Sequence, residues 1–185
     1  GFQNGHFVFA TLGHFETMFG GARLEYLYKP YNSRFALGFD TARVKQRDFN
    51  KSFDGFRDYE TTTSHLNLYA KEPFFELNLK LSYGKYLAGD IGYTVDLSRY
   101  FSNGTRMGAF FTRTDLSFEE FGEGSFDKGI YIHIPIDFFA LFRSKNWRLA
   151  GITGTTYKPL TRDGGAKLAM NRELYFMVEE SSMFD

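Results

Sequence analysis

Apolar and polar residues alternate along most of this chain with a period of two. Phe75, Leu77, Leu79, Leu81 and Tyr83 interleave with Glu76, Asn78, Lys80, Ser82 and Gly84. Ile91, Tyr93, Val95 and Leu97 interleave with Gly92, Thr94, Asp96 and Ser98, and Ile130 to Ile136 repeats the rhythm. Successive side chains of a strand point to opposite faces, so each segment has one apolar and one polar face. The pattern predicts about ten strands, near His6–Phe15, Gly21–Lys29, Arg34–Gln46, Thr61–Ala70, Phe74–Tyr86, Ile91–Tyr100, Thr105–Leu116, Lys128–Phe139, Trp147–Lys158 and Arg172–Val178. No segment longer than a turn carries a 3.6-residue period. Two architectures remain: a soluble sandwich or barrel, or a transmembrane barrel.

The links between strands separate these two. Tight turns fall at Pro30-Tyr31-Asn32-Ser33, Lys71-Glu72-Pro73, Ser102-Asn103-Gly104 and Ser144-Lys145-Asn146. They alternate with links at Thr17–Gly20, Asp48–Glu60, Leu87–Gly89, Ser117–Phe126 and Pro159–Asn171, most of them longer. In an antiparallel meander all tight turns then share one end, the asymmetry of outer-membrane barrels. Tyr28, Tyr31, Phe74, Phe75, Tyr100, Phe101, Phe138, Phe139, Phe142 and Trp147 flank those turns, where an interfacial ring of aromatics would lie. Tyr and Phe are also common strand residues. Most strands match the roughly 9–11 residues of a tilted span. The expected fold is all-β: an antiparallel up-and-down transmembrane β-barrel of about ten strands, closed on itself or part of a larger barrel. It forms a single domain over residues 1–185.

Composition agrees. Aromatics make up 19% of the chain, with 23 Phe and 12 Tyr, as suits rings lining two membrane interfaces. A mean hydropathy of −0.35 excludes helical spans but not strands whose polar halves hide their apolar halves. The 22 basic and 22 acidic residues cancel, which argues against nucleic acid as a partner. With no cysteine there is no disulfide or thiolate chemistry. The chain opens on Gly1 without a signal segment and reads as a fragment.

Candidate chemistry is sparse. Arg23, Glu25, Glu76, Lys80, Asp96 and Arg106 fall on polar faces and read as a paired lumen inventory with capacity for glycan contact. The acidic stretch Phe118–Asp127, with Glu119 and Glu123, suits a carbohydrate or a loosely held cation, but lacks EF-hand spacing and fits a solvated loop better. Arg162 and Asp163 precede glycines in a turn and are further contact candidates, although Asp-Gly turn chemistry explains them. His6, His14, His65 and His133 show no metal-ligand spacing, and lumen hydrogen bonding is the simpler role for His65 and His133. No catalytic residue, metal or cofactor is expected.

Several phrases together resemble a known family. They are Gly13–Gly21, Val44–Phe49, Gly84–Asp90, Phe121–Gly129 and Leu160–Gly165, spread over most of the chain. They are similar to the YjbH family of Gram-negative exopolysaccharide and capsule biosynthesis proteins, which includes GfcD-type outer-membrane lipoproteins. The resemblance implies a C-terminal fragment of a longer chain, and a non-enzymatic outer-membrane component of exopolysaccharide secretion or assembly. Its partners would be outer-membrane lipid, the exopolysaccharide and other polysaccharide-export proteins. Two alternatives stand beside it: a membrane-embedded enzyme modifying lipids or glycans, with His14, His65, Glu119 or Glu123 in play, and a soluble periplasmic polysaccharide-binding β-sandwich.

Overall fold

The computed structural model describes residues 4–15, 19–48, 55–102, 105–116, 127–133 and 173–182. Within them lie β1 (His6–His14), β2 (Phe19–Tyr28), β3 (Phe35–Arg47), β4 (Phe56–Lys71), β5 (Leu77–Lys85), β6 (Ile91–Tyr100), β7 (Arg106–Thr114), β8 (Asp127–His133) and α1 (Leu174–Ser182). The strands form one antiparallel sheet in sequence order, β1 through β8. Among the described residues the sheet is open, with β1 and β8 at its edges.

Most predicted strands among the described residues are present within a few residues, and between β1 and β8 the tight and longer links fall on opposite ends of the meander. The Ser144–Asn146 turn, the Pro159–Asn171 link, the predicted strand beyond His133, and Phe138, Phe139, Phe142 and Trp147 of the aromatic ring lie outside the described residues. Four features differ. The hairpin of β3 and β4 runs further than expected, through a bulge between Lys45 and Arg47 to an Arg47–Phe56 pair, which shortens the Asp48–Glu60 link. Strand β5 starts at Leu77, not Phe74. The Glu72 carboxylate accepts the backbone N–H groups of Phe74 and Phe75, both at 2.7 Å, and Glu76 takes a positive φ of 55°. A side-chain acceptor here competes with the strand ladder and curls the backbone into a turn. The predicted strand Arg172–Val178 is instead α1, and Trp147–Lys158 lies outside the described residues. Finally, Tyr100 sits opposite Arg106 on the inner face, not in an outer ring.

Helix α1 explains its own illegibility. Leu174, Tyr175 and Phe176 are buried, and Met177 and Val178 pack against the same cluster. Leu174 to Val178 form one unbroken apolar run, and such a run carries no amphipathic period.

The sheet curls around this helix. Phe7 and Phe9 of β1 pack on the α1 cluster, Glu25 of β2 accepts the Leu174 N–H, and Tyr69 of β4 stacks on Tyr175. Asn78 of β5 meets the Tyr175 hydroxyl, and Tyr100 of β6 and Arg106 of β7 meet Phe176. A flat sheet would separate β1 from β7 by roughly 28 Å, far more than a helix about 10–12 Å across can bridge with three successive residues. The result is a trough with α1 inside it, at the tight-turn end.

Candidate functional site: the covered polar face

Burial in this sheet is inverted relative to that of an ordinary soluble protein. The face turned to the trough is rich in polar residues and is the covered one: Arg23, Glu25, Asp40, His65, Asn67, Asn78, Lys80, Ser82, Ser98, Arg106 and Thr112 are all buried. The opposite face is apolar and open, with Leu24, Leu37, Phe39, Leu66, Leu68, Leu81, Tyr83, Leu97 and Ile130 exposed. Charged residues are rarely buried unless paired, so the inner face must supply its own partners.

Strand register supplies them. Glu25 lies opposite Asp40, and Asp40 opposite His65, which puts three ionisable side chains in one row across β2, β3 and β4. Arg23 on β2 reaches Glu25 at 3.5 Å and Asp40 at 3.9 Å. Asp40 accepts from His65 Nδ1 at 3.2 Å and from Asn67 Nδ2 at 2.7 Å. Ser82 on β5 extends the chain by donating to Asn67 Oδ1 at 2.6 Å. A second group forms where Arg106 donates to Ser98 at 3.1 Å and Asp96 at 3.4 Å, with the Tyr131 hydroxyl donating to Asp96 at 2.8 Å. Large rings lie flat on this face because small residues sit beneath them. A Cβ on Gly108 would come 2.5 Å from the Tyr131 ring, and one on Gly38 would come 3.1 Å from Tyr69.

Both ends of the trough are apolar. At the turn end Leu27, Ala36 and Tyr69 pack on α1. At the other, Ala42, Val44 and Leu87 cluster with Phe15 and Phe19. Beside that second cluster Tyr86, Thr94 and Thr112 share hydroxyl hydrogen bonds of 2.6 and 2.7 Å. Burial pushes the Tyr86 phenol from 10.0 up to about 12. The folded form holds this proton more tightly than the unfolded chain. Its contribution to stability is therefore full below about pH 10 and is lost as pH rises through about 12. Urea titrations of Tyr86→Phe are expected to show a shallower alkaline loss across that window; an unaltered slope would refute the assignment.

The structure thus brings Arg23, Glu25, Lys80, Asp96 and Arg106 to the inner face. Glu76 is not among them: it is exposed in the β4–β5 turn. Glu119, Glu123, Arg162 and Asp163 lie outside the described residues. Sequence reasoning missed Asp40, Asn67 and Ser82, which occupy the polar beat of their strands but acquire meaning only through cross-strand register. It also missed Lys29, Lys71, Glu173 and Glu179, which meet only because α1 enters the trough. Among the described residues no group of acidic and histidine side chains has the arrangement of a metal site. No described helix is long and apolar enough to cross a membrane.

An all-β antiparallel meander, wound round a short helix and turning its polar face inward, is the class of protein this fold defines. The chain belongs to the YjbH family: the family model for exopolysaccharide biosynthesis protein YbjH matches residues 1–180. The Escherichia coli (strain K12) protein named uncharacterized lipoprotein YjbH is 42% identical over 183 residues, covering 97% of this chain and 26% of that protein. The chain therefore spans about a quarter of the length of the curated relative it matches. No solved structure matches it.

Proposed function

We propose that this chain forms a β-barrel part of an outer-membrane protein that takes part, without catalysis, in the secretion or assembly of exopolysaccharide. The observation that carries the membrane reading is the inversion of burial, with an apolar face open and a polar face covered. In water a monomer rarely exposes an apolar patch beyond a few hundred Å². A bilayer turns the same face into the favourable one, and the alternation is that of strands with lipid on one side and a lumen on the other. Tyr28, Tyr31, Phe35, Phe74, Phe75 and Phe101, exposed at the tight-turn end, fit an interfacial belt there. Spanning lipid also requires closure, because an open sheet edge leaves backbone groups unpaired at several kcal/mol each. Closure of the sheet, on itself or as part of a larger barrel, is therefore part of the proposal.

The family description supports the exopolysaccharide half of the reading, and the lipoprotein name of the Escherichia coli relative fits attachment to a membrane. The absence of catalysis rests on how the polar groups are used. The hydroxyl of Ser82 and the carboxylate of Asp40 are engaged in cross-strand bonds that hold the interior together, not poised around a reacting atom.

Semi-native SDS electrophoresis tests the barrel. The chain purified in mild detergent is expected to migrate differently before and after boiling, and to aggregate when detergent is withdrawn. A monomer stable in plain buffer, with no heat-dependent shift, would overturn the membrane reading. Deleting the gene is expected to reduce secreted exopolysaccharide, and unchanged secretion would remove that part of the proposal.

A further inference from the structure

The seat of α1 has a chemistry that the helix alone does not require. Lys29, just after β2, and Lys71, the last residue of β4, both pair with Glu179, at 2.6 and 3.4 Å. Lys80 on β5 pairs with Glu173, the residue preceding α1. Among the described residues, the carboxylates in ion-pair contact with these three lysines belong to α1 or its first neighbour. The floor between them is aromatic. Tyr69 stacks on Tyr175 with centroids 4.1 Å apart and planes 9° from parallel, and the Arg106 guanidinium lies 3.3 Å from the centre of the Phe176 ring. Near the start of α1, Arg23 Nη1 and Glu25 Oε2 are buried without a hydrogen-bond partner among the described residues.

Helix physics does not place Glu179 where it is. Glu179 stands in the last turn, where the helix dipole disfavours carboxylates, and that turn holds no basic residue. An isolated helix shorter than about 12–15 residues is marginal in water, so α1 keeps its shape only while seated. The lysines hold the carboxylates, and the carboxylates hold the helix.

We infer that this seat is a binding site for an acidic polysaccharide, and that α1 occupies it as an internal ligand until the sugar chain displaces it. The inference rests on the exopolysaccharide reading above and adds the class of sugar. Carboxylates of a uronate-type chain replace Glu173 and Glu179 on the three lysines. Pyranose rings take the place of Tyr175 against Tyr69, and sugar hydroxyls reach Arg23 Nη1 and Glu25 Oε2. A neutral glycan would leave the three ammonium groups without counter-charge. An acidic lipid is disfavoured because the seat lies on the inner face, away from the apolar surface.

The chain contains no cysteine, so Met177→Cys, on the partly buried side of α1, introduces a unique thiol that reports release of the helix. In detergent, saturating oligogalacturonate is expected to raise the rate of maleimide labelling about fivefold or more, because opening exposes the thiol. Maltodextrin, the neutral control, should leave the rate unchanged. Glu173→Gln with Glu179→Gln should tighten oligogalacturonate binding about tenfold, since a weakened internal competitor raises the binding-competent fraction. Replacing Lys29, Lys71 and Lys80 by Gln should abolish the response. A labelling rate indifferent to oligogalacturonate overturns the inference, as does an equal response to maltodextrin. A larger response to polyglutamate than to oligogalacturonate also overturns it and assigns the seat to an acidic peptide. Heat-dependent migration, run on the same samples, separates failure of the barrel from failure of the site.

Discussion

Leu81→Arg is expected to lower the urea midpoint of the heat-resistant folded form sharply, although the side chain it replaces is already 39% exposed. Leu81 is the middle residue of β5, opposite Leu68 on β4 and Val95 on β6, all on the apolar outer face. An arginine at the lipid midplane of a β-barrel costs about 2–4 kcal/mol, falling to about 0–1 near the interface. Stabilities of folded proteins are about 5–15 kcal/mol, so the midplane cost is a large share of the total. Tyr31→Arg provides the depth control, because Tyr31 is 94% exposed in the turn between β2 and β3. The measurement is the urea midpoint of each variant refolded into liposomes, read as the fraction with altered migration before boiling. A soluble sheet predicts the opposite ranking: an exposed Leu→Arg change would be neutral or would improve solubility. Equal midpoints for the two variants would therefore defeat the membrane assignment.

The sequence carried the parity of the sheet because parity is a local property. Once Leu79 is outward, Lys80 is inward and Leu81 outward again, whatever the rest of the molecule does. Even Arg23, Asp96 and Arg106 could be assigned to the inner face in this way. Glu76 failed for a reason equally local but of another kind. The Glu72 side chain captured two backbone donors, and the alternation begins at Leu77, two residues after the Phe75 where the hydrophobic beat starts. Tyr100 failed because its position beside a turn suggested an interfacial ring, whereas its parity places it inward against Phe176. A residue's type and its face are separate pieces of information, and parity was the better guide.

The helix was not legible at all, and this is the larger lesson for the site. The residues that seat α1 are far apart along the chain: Lys29 to Glu179, Glu25 to Leu174, Arg106 to Phe176. No local pattern encodes such pairs. The inner face did hold one hint in Leu27, Ala36 and Tyr69, apolar residues at positions where the beat calls for polar ones. An apolar patch on an otherwise polar lumen face needs something apolar to cover it, and α1 is what covers it.

Asp40→Leu is expected to destabilise the chain by about 3–5 kcal/mol, the cost of removing one partner from a buried ion pair. Asp40 is 8% exposed and stands at the centre of the larger polar group. Its carboxylate accepts from His65 and Asn67 and lies 3.9 Å from the Arg23 guanidinium. Leucine fills similar space but leaves these donors buried with an acceptor removed, and Arg23 with Glu25 as its remaining ion-pair partner among the described residues. Asp40→Asn, which retains one carbonyl acceptor, should cost about half as much, since hydrogen bonds to charged groups are worth roughly 1.5–3 kcal/mol and neutral ones about 1. Chemical denaturation in detergent checks both. The comparison tests burial from the inner side as Leu81→Arg does from the outer. If the polar face were the solvated face of a soluble sheet, water would satisfy His65, Asn67 and Arg23, and Asp40→Leu would fall within about 0.5 kcal/mol of the parent. A loss that small, together with a tolerated arginine at Leu81, would turn the sheet inside out.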